Sequence, residues 1–336
     1  MSDRTDVGAV VIGRNEGERL ARCLVALRAQ LVPVVYVDSG STDASVQFAR
    51  SAGVDVVELD LARPFTASRA RNAGFARLRE LHPNLRFVQF VDGDCELALG
   101  WIATAAEFLA SHDDVAIAVG RLGERNPRQS DYNLMFALEW QKPLGPIKSC
   151  TGTFMTPITT FAEIGGFNEE VPAAEDDDLC LRLRTAGKKI WSIDADMATH
   201  DAHMTRFGQW WRRAKRAGYA YAQGAAMHGR TPERHFVRDC RRIWLWSLIV
   251  PALAIVPVWP TRGWSLLLLL GYPALAFRIY RYGKSRGWSN SESRKYAFFT
   301  LLAKWPGLLG MLAYYRRRTA GQPNRLIEYK GVTKPQ

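Results

Sequence analysis

Phe87-Val88-Gln89-Phe90-Val91-Asp92-Gly93-Asp94 is an apolar run that ends in two carboxylates one residue apart. The run reads as a buried strand, which places both carboxylates at its C-terminal end. Hard oxygen ligands there suit a divalent cation, and a cation with vacant positions seats a diphosphate. D-x-D triplets also occur in ordinary surface turns, so the neighbouring segments decide the reading.

Outward from this stretch, strand-like and helix-like segments alternate. The runs 7–12, 34–37, 54–59 and 115–119 read as further strands. Segments 16–30 and 43–52 read as helices, the first with Leu20, Cys23, Leu24 and Leu27 on one face. Such alternation predicts an α/β domain, Rossmann-like, with a mostly parallel sheet between helical layers. The 336 residues suffice for such a domain plus an appendage. Hydrophobic residues make up 47% of them, which excludes wholesale disorder. The five cysteines are scattered without a C-x-x-C pair, so neither a disulfide framework nor a zinc ribbon is indicated. A reducing compartment fits that usage. The polar N-terminus carries no secretory signal pattern, which places the bulk of the chain in the cytosol.

Composition changes near Arg241. The stretches 243–259 and 264–277 are uncharged and are separated by the turn Pro260-Thr261-Arg262-Gly263. The first is about 25 Å long as a helix, against a bilayer core of ~30 Å, so each is marginal for spanning, and short tilted spans and a re-entrant or interfacial hairpin stay open. A buried hairpin of a soluble domain is the plain alternative. Trp244, Trp246, Trp259 and Trp264 near the ends of the runs, with arginines beyond, point to a membrane instead. Arg241, Arg242, Arg278, Arg281 and Lys284 would keep both ends of a hairpin over 243–280 on the cytoplasmic side. The apolar stretch 296–315, interrupted by Lys304 and Pro306 and followed by Arg316-Arg317-Arg318, reads as an interfacial helix. The chain is expected to divide into 1–225 and a basic, apolar region 226–336. Net charge is +12. Its aromatic residues lie in apolar runs and not on a polar stacking surface, so an anionic lipid surface suits it better than nucleic acid.

The first strand ends in Gly13-Arg14-Asn15-Glu16, which is no dinucleotide-binding glycine loop. The second ends in Asp38-Ser39-Gly40-Ser41-Thr42-Asp43. Polar residues at successive strand ends mark the ligand crevice of an open α/β sheet. Asp38 can accept from a base or ribose, whereas Ser41 and Thr42 suit helix capping. Arg69 and Arg71 either face a diphosphate or form a solvated helix face.

In combination these segments, with Gly165-Gly166-Phe167 and Glu175-Asp176-Asp177-Asp178, resemble family 2 glycosyltransferases of the GT-A fold. The resemblance covers about 7–224. It implies a nucleotide-sugar donor with Asp38 on the nucleoside and Asn15 or Glu16 nearby. It implies Asp92 on the ribose or the cation's water shell, and Asp94 on a Mn2+ or Mg2+ ion. His200 matches a further metal ligand, with a structural histidine as the plain alternative. Glu175 and Asp176 match the family's Glu-Asp pair on the acceptor side, with Asp176 as base in an inverting displacement. Four adjacent carboxylates repel one another, so one of them should have a raised pKa. Asp178 is expected to start or orient a helix over 179–185.

Gln209-Trp210-Trp211-Arg212-Arg213 is similar to the Q-x-x-R-W element of processive members, but Arg213 stands where that pattern has Trp. Addition of one sugar per encounter is therefore expected. Arg212 and Arg213 either meet a donor or acceptor diphosphate or face lipid headgroups. Membrane proximity suggests a polyprenyl-linked saccharide as acceptor in surface polysaccharide assembly. Transfer to polyprenyl monophosphate and a non-catalytic nucleotide-binding scaffold are the competing readings. The motifs do not specify the sugar, the linkage or the oligomeric state.

Overall fold

The computed structural model describes residues 6–322. The polar N-terminus before Asp6, and the part of the expected 226–336 region beyond Gln322, lie outside the described residues. Two compact units form. One holds Phe136–His203 with the described residues up to Pro127, and the other holds Arg128–Met135 with the described residues from Met204. The expected boundary at 225 falls inside a helix of the second unit.

In the first unit, strands β1 (Val7–Gly13), β2 (Val34–Asp38), β3 (Asp55–Glu58) and β4 (Phe87–Asp92) pair in parallel in the order β3-β2-β1-β4. The apolar residues of β1 and β4 are buried on both faces, which explains their near-continuous hydrophobic runs. Helices α1 (Glu18–Arg28), α2 (Ser45–Ser51) and α3 (Ala67–Leu81) are the crossovers. Leu20, Cys23, Leu24 and Leu27 form the buried face of α1, as the spacing predicts. Thr66 caps α3 by accepting from the Arg69 N–H at 3.1 Å. Gln89 is a polar residue inside β4, and its Oε1 accepts from the indole N–H of Trp101 at 2.8 Å.

Beyond β4 the sheet is mixed, which the alternation of runs does not reveal. It adds β5 (Cys95–Leu97), β6 (Val115–Glu124), β7 (Gly145–Ile147), β8 (Phe154–Pro157) and β9 (Lys189–His200). Strand β8 is antiparallel to β4 and β6, β9 is parallel to β6, and β5 and β7 are antiparallel to β9. Helices α4 (Trp101–Ala110), α5 (Asp131–Glu139), α6 (Ile158–Glu163) and α7 (Glu175–Thr185) complete this part of the chain, the first residues of α5 belonging to the second unit. Helix α7 starts at Glu175 and not at 179, so all four carboxylates lie in its first turn. Negative charge is favoured there by the exposed N–H groups of a helix start.

The second unit is helical. It contains α8 (Phe207–His228) and α9 (Val237–Trp244), then a π-helical turn (Leu245–Ile249) leading into α10 (Val250–Ile255). A turn through 256–263 reverses the chain into a 3-10 segment (Trp264–Leu270) and α11 (Gly271–Ser285), so the expected hairpin forms. The expected helix over 296–315 is instead two, α12 (Asn290–Leu302) and α13 (Lys304–Thr319), meeting at Ala303. Pro306 falls in the first turn of α13, where its missing N–H costs no intrahelical bond. Among the described residues, Asn290–Thr319 is long and apolar enough, by length and composition, to cross a membrane.

Helices α8 and α13 touch backbone to backbone. A Cβ on Gly218 would overlap the Gly307 carbonyl, and one on Gly310 would overlap the Lys215 carbonyl. Gly218→Val is therefore expected to force these helices apart and cost about 2 kcal/mol or more, read as a lowered Tm in thermal unfolding.

Candidate active site

Register brings the sequence candidates to one edge of the sheet. Gly13 pairs with Asp38 across β1 and β2, and Ile12 pairs with Asp92 across β1 and β4. The loops after β1, β2 and β4 therefore leave the sheet at the same level. This is the carboxyl edge where open α/β sheets hold ligands.

The loops after β1 and β2 are stitched together. Asn15, with a positive φ of 54°, donates its N–H to Ser41 Oγ at 2.8 Å. Its Oδ1 accepts from the Thr42 N–H at 2.7 Å. Asp38 is buried and accepts from Tyr36 Oη at 2.9 Å, Gly40 N at 2.9 Å, and Ser41 N at 2.7 Å and Oγ at 2.5 Å. Both carboxylate oxygens thus serve its own loop, and a nucleoside contact would share them. Arg14 lies over the Phe65 ring at 4.3 Å. Glu16 is buried beside Arg19, 2.8 Å away.

Arg71 is not the solvated residue that a helix face allows. It is buried, with Nη2 donating to Asp92 Oδ1 at 2.7 Å and Nη1 donating to Glu175 Oε1 at 2.8 Å. Its guanidinium carbon lies 5.2 Å from the Phe167 ring centre. The two carboxylates hold its pKa above the usual arginine value despite burial. Gly152 packs against this bridge, and a Cβ there would overlap Asp92 Oδ2. Arg69 turns away, donating to the backbone carbonyls of Asp60 and Arg63.

Asp94 and His200 meet on the other side of the triplet. Cys95 pairs with His200 across β5 and β9, and Glu124 pairs with His200 across β6 and β9. His200 Nε2 lies 3.4 Å from Asp94 Oδ2, and its Nδ1 lies 3.0 Å from Glu124 Oε2. Glu124 is also anchored by the Ala202 N–H at 3.1 Å. Donation from Nδ1 to Glu124 leaves the Nε2 lone pair directed toward Asp94. One carboxylate oxygen and one imidazole nitrogen thus converge on a point, a donor set that suits Mn2+ or a similar ion. Among the described residues no group of three or more His, Cys, Asp or Glu is placed to hold a metal. A cation held here would take its remaining ligands from water or a diphosphate.

The N-terminus of α7 carries the carboxylates expected on the acceptor side. Asp178 pairs with Arg182 at 2.9 Å, and Arg182 donates to the Ile164 and Gly166 carbonyls. Asn72 exchanges two hydrogen bonds of 2.9 Å with the Phe167 backbone. These contacts fix the turn before α7 against α3. Burial, then the neighbouring Asp177 and Glu175 carboxylates, push Asp176 up to about 7, against the pull of Lys142 and Arg71. Lys142 Nζ is held by the Ser149 and Cys150 carbonyls at 2.7 and 2.9 Å.

Arg212 and Arg213 lie on α8 in the second unit. Trp210 beside them packs on Tyr132 and Phe299, and Gln209 Oε1 accepts from the Thr205 and Arg206 N–H groups at 3.0 Å. Sequence reasoning missed Glu124 and Lys142. Neither lies in a motif, and only strand register or loop closure brings them to the site. Arg71→Met should leave Asp92 and Glu175 facing each other without a counter-charge. A loss of about 3 kcal/mol in denaturant unfolding is expected, most of it from the more deeply buried Glu175.

The glycosyl transferase family 2 model matches residues 9–166. Relatives named pre-mycofactocin glycosyltransferase, from two strains of Mycobacterium tuberculosis (CDC 1551 / Oshkosh and ATCC 25618 / H37Rv), are 28% identical over 238 residues, covering 66% of this chain and 48% of theirs. The chain thus spans about half the length of these curated relatives. A mannosyltransferase from Pyrobaculum calidifontis, solved with GDP-Man and Mn2+, superposes with a TM-score of 0.59 over 92% of this chain and 87% of that one, at 18% identity. That likeness is one of fold. Sheet, strand-end loops and matched segment together place residues 9–166 in glycosyl transferase family 2, on a GT-A fold.

Proposed function

We propose that the chain is an inverting, cation-dependent glycosyltransferase that moves one sugar from a nucleotide-sugar donor to a lipid-linked saccharide. One observation carries this reading. Arg71 ties Asp92 of the D-x-D triplet to Glu175, the neighbour of a carboxylate whose pKa is near 7. Donor-side and acceptor-side groups are thereby held in one constellation. The mannosyltransferase solved with GDP-Man and Mn2+ supports the choice of donor class and cation.

Asp94 and His200 would hold the cation, which when bound neutralises charge growing on the leaving diphosphate. Glu124 keeps His200 in the tautomer and orientation that ligation needs. Asp176 accepts the proton of the acceptor hydroxyl as its oxygen bonds to the anomeric carbon. The bond from that carbon to the nucleotide diphosphate breaks in the same displacement, so the configuration inverts. A carboxylate that titrates near 7 is matched to this task at neutral pH.

The basic, tryptophan-flanked hairpin supports a location on the cytoplasmic membrane with the active site facing the cytosol. That location is the reason for proposing a lipid-linked acceptor. Arg212 and Arg213 are proposed to meet anionic headgroups or a diphosphate.

Asp176 works as a base only when ionised. Its raised pKa means kcat/KM should fall about tenfold per pH unit below 7 and level off above it. Asp176→Asn should abolish transfer but leave intact the thermal stabilisation by the nucleotide-sugar with Mn2+. An Asp176→Asn enzyme that still transfers would favour polyprenyl monophosphate as acceptor, since a phosphate needs no deprotonation by Asp176. Glu124→Ala should weaken Mn2+ affinity about tenfold or more in calorimetry. Equal Mn2+ affinity for wild type, Asp94→Ala and Glu124→Ala would remove the cation from the mechanism.

A further inference from the structure

We infer that the hairpin formed by residues 243–277 crosses the bilayer completely and presents Arg262 on the far side. This deepens the membrane reading proposed above and rests on it. The second unit leaves the hairpin's apolar side chains exposed, including Leu253, Ile255, Val256, Leu266 and Leu267. Trp259 is 92% exposed and Trp264 73% exposed. An apolar surface of this kind marks an interaction site and not ordinary solvent contact.

Three features select lipid as the occupant. The first is polar satisfaction. The only hydroxyls between 243 and 277 belong to Ser247, Thr261, Ser265 and Tyr272. Each donates to a backbone carbonyl of the hairpin itself, respectively those of Ile243, Pro257, Ala254 and Trp246. Lipid offers no hydrogen bonds, so a segment immersed in it must satisfy its polar groups internally.

The second feature is length. The helical arm from Ile243 to Ile255 spans about 20 Å at ~1.5 Å per residue, and the turn through 256–263 extends the tip beyond it. The return arm from Trp264 to Phe277 spans about 25 Å, because its 3-10 segment Trp264–Leu270 rises ~2.0 Å per residue. With the turn added, the hairpin falls a few ångströms short of the ~30 Å hydrocarbon core. Long arginine side chains reaching outward make up such a mismatch.

The third feature is the charge at the two ends. Exposed Arg241, Arg278, Arg281 and Lys284 lie at the base, complementary to an anionic leaflet. The tip carries Arg262 between Trp259 and Trp264, with Pro260 also exposed. Two tryptophans beside an arginine form an interface anchor. A re-entrant tip would leave that arginine in hydrocarbon, which is the costly arrangement. A spanning tip delivers it to the opposite headgroups.

All five native cysteines are buried, so the unsubstituted chain is the labelling blank. The full chain is expressed and sealed right-side-out and inside-out plasma-membrane vesicles are prepared. A membrane-impermeant maleimide then reads Arg262→Cys at the tip and Ser285→Cys beyond the second arm. Pro260→Cys is a second tip reporter that keeps the arginine. Labelling of both tip variants in right-side-out vesicles, with Ser285→Cys labelled only in inside-out ones, is expected. Labelling of tip and Ser285→Cys from the same side would overturn spanning. Labelling of the tip only after denaturation in SDS would also overturn it, and would indicate a re-entrant tip held in hydrocarbon. Release of the unsubstituted chain by carbonate washing would instead refute the membrane reading itself.

Discussion

A single buried guanidinium organises the catalytic unit. Arg71 lies on α3, Asp92 ends β4 and Glu175 opens α7; the three elements share one apolar core, and the guanidinium ties their polar ends together. Two carboxylates close together repel, and the buried Glu175 in particular needs a cation beside it. Arginine suits the position because its planar fork donates in two directions at once, which an ammonium does not do from one fixed geometry. Gly152 leaves the space in which that fork lies against Asp92.

The same arrangement separates the tasks of the acidic groups. Asp92 and Glu175 each accept a hydrogen bond from Arg71. Asp178 is occupied by Arg182, which in turn fixes the turn at Ile164–Gly166. At Asp176, burial beside Asp177 and Glu175 outweighs the pull of Lys142 and Arg71 and lifts the pKa to about 7. Neighbouring acids in one helix turn thus have different partners. On the opposite side, Glu124 does for His200 what Arg71 does for the carboxylates, setting the orientation of a group that would otherwise rotate.

Much of this was legible along the chain. The buried face of α1, the parallel strands up to β4 and the positions of Asn15, Asp38, Asp92 and Asp94 at strand ends follow from periodicity and local polarity. The mixed half of the sheet was not legible, because β5 and β7 are too short to show a period and β9 alternates imperfectly. The carboxylates of 175–178 read as the turn before a helix, whereas they form its first turn. Asp38 read as a ligand group, and its hydrogen bonds are seen to organise its own loop.

Residue types and their order determined the chemistry on offer: paired acids after a buried strand, an acidic turn downstream, and apolar stretches fenced by arginine and tryptophan. These are local properties, set by hydrophobic burial and by which side chains carry charge. Which acid titrates near neutrality, which arginine is buried and which glutamate stands behind His200 were decided by tertiary structure alone. Desolvation and Coulomb interaction act over a few ångströms in space. Arg71 and Glu175, or Glu124 and His200, come within that range only when strand register and helix packing bring them together.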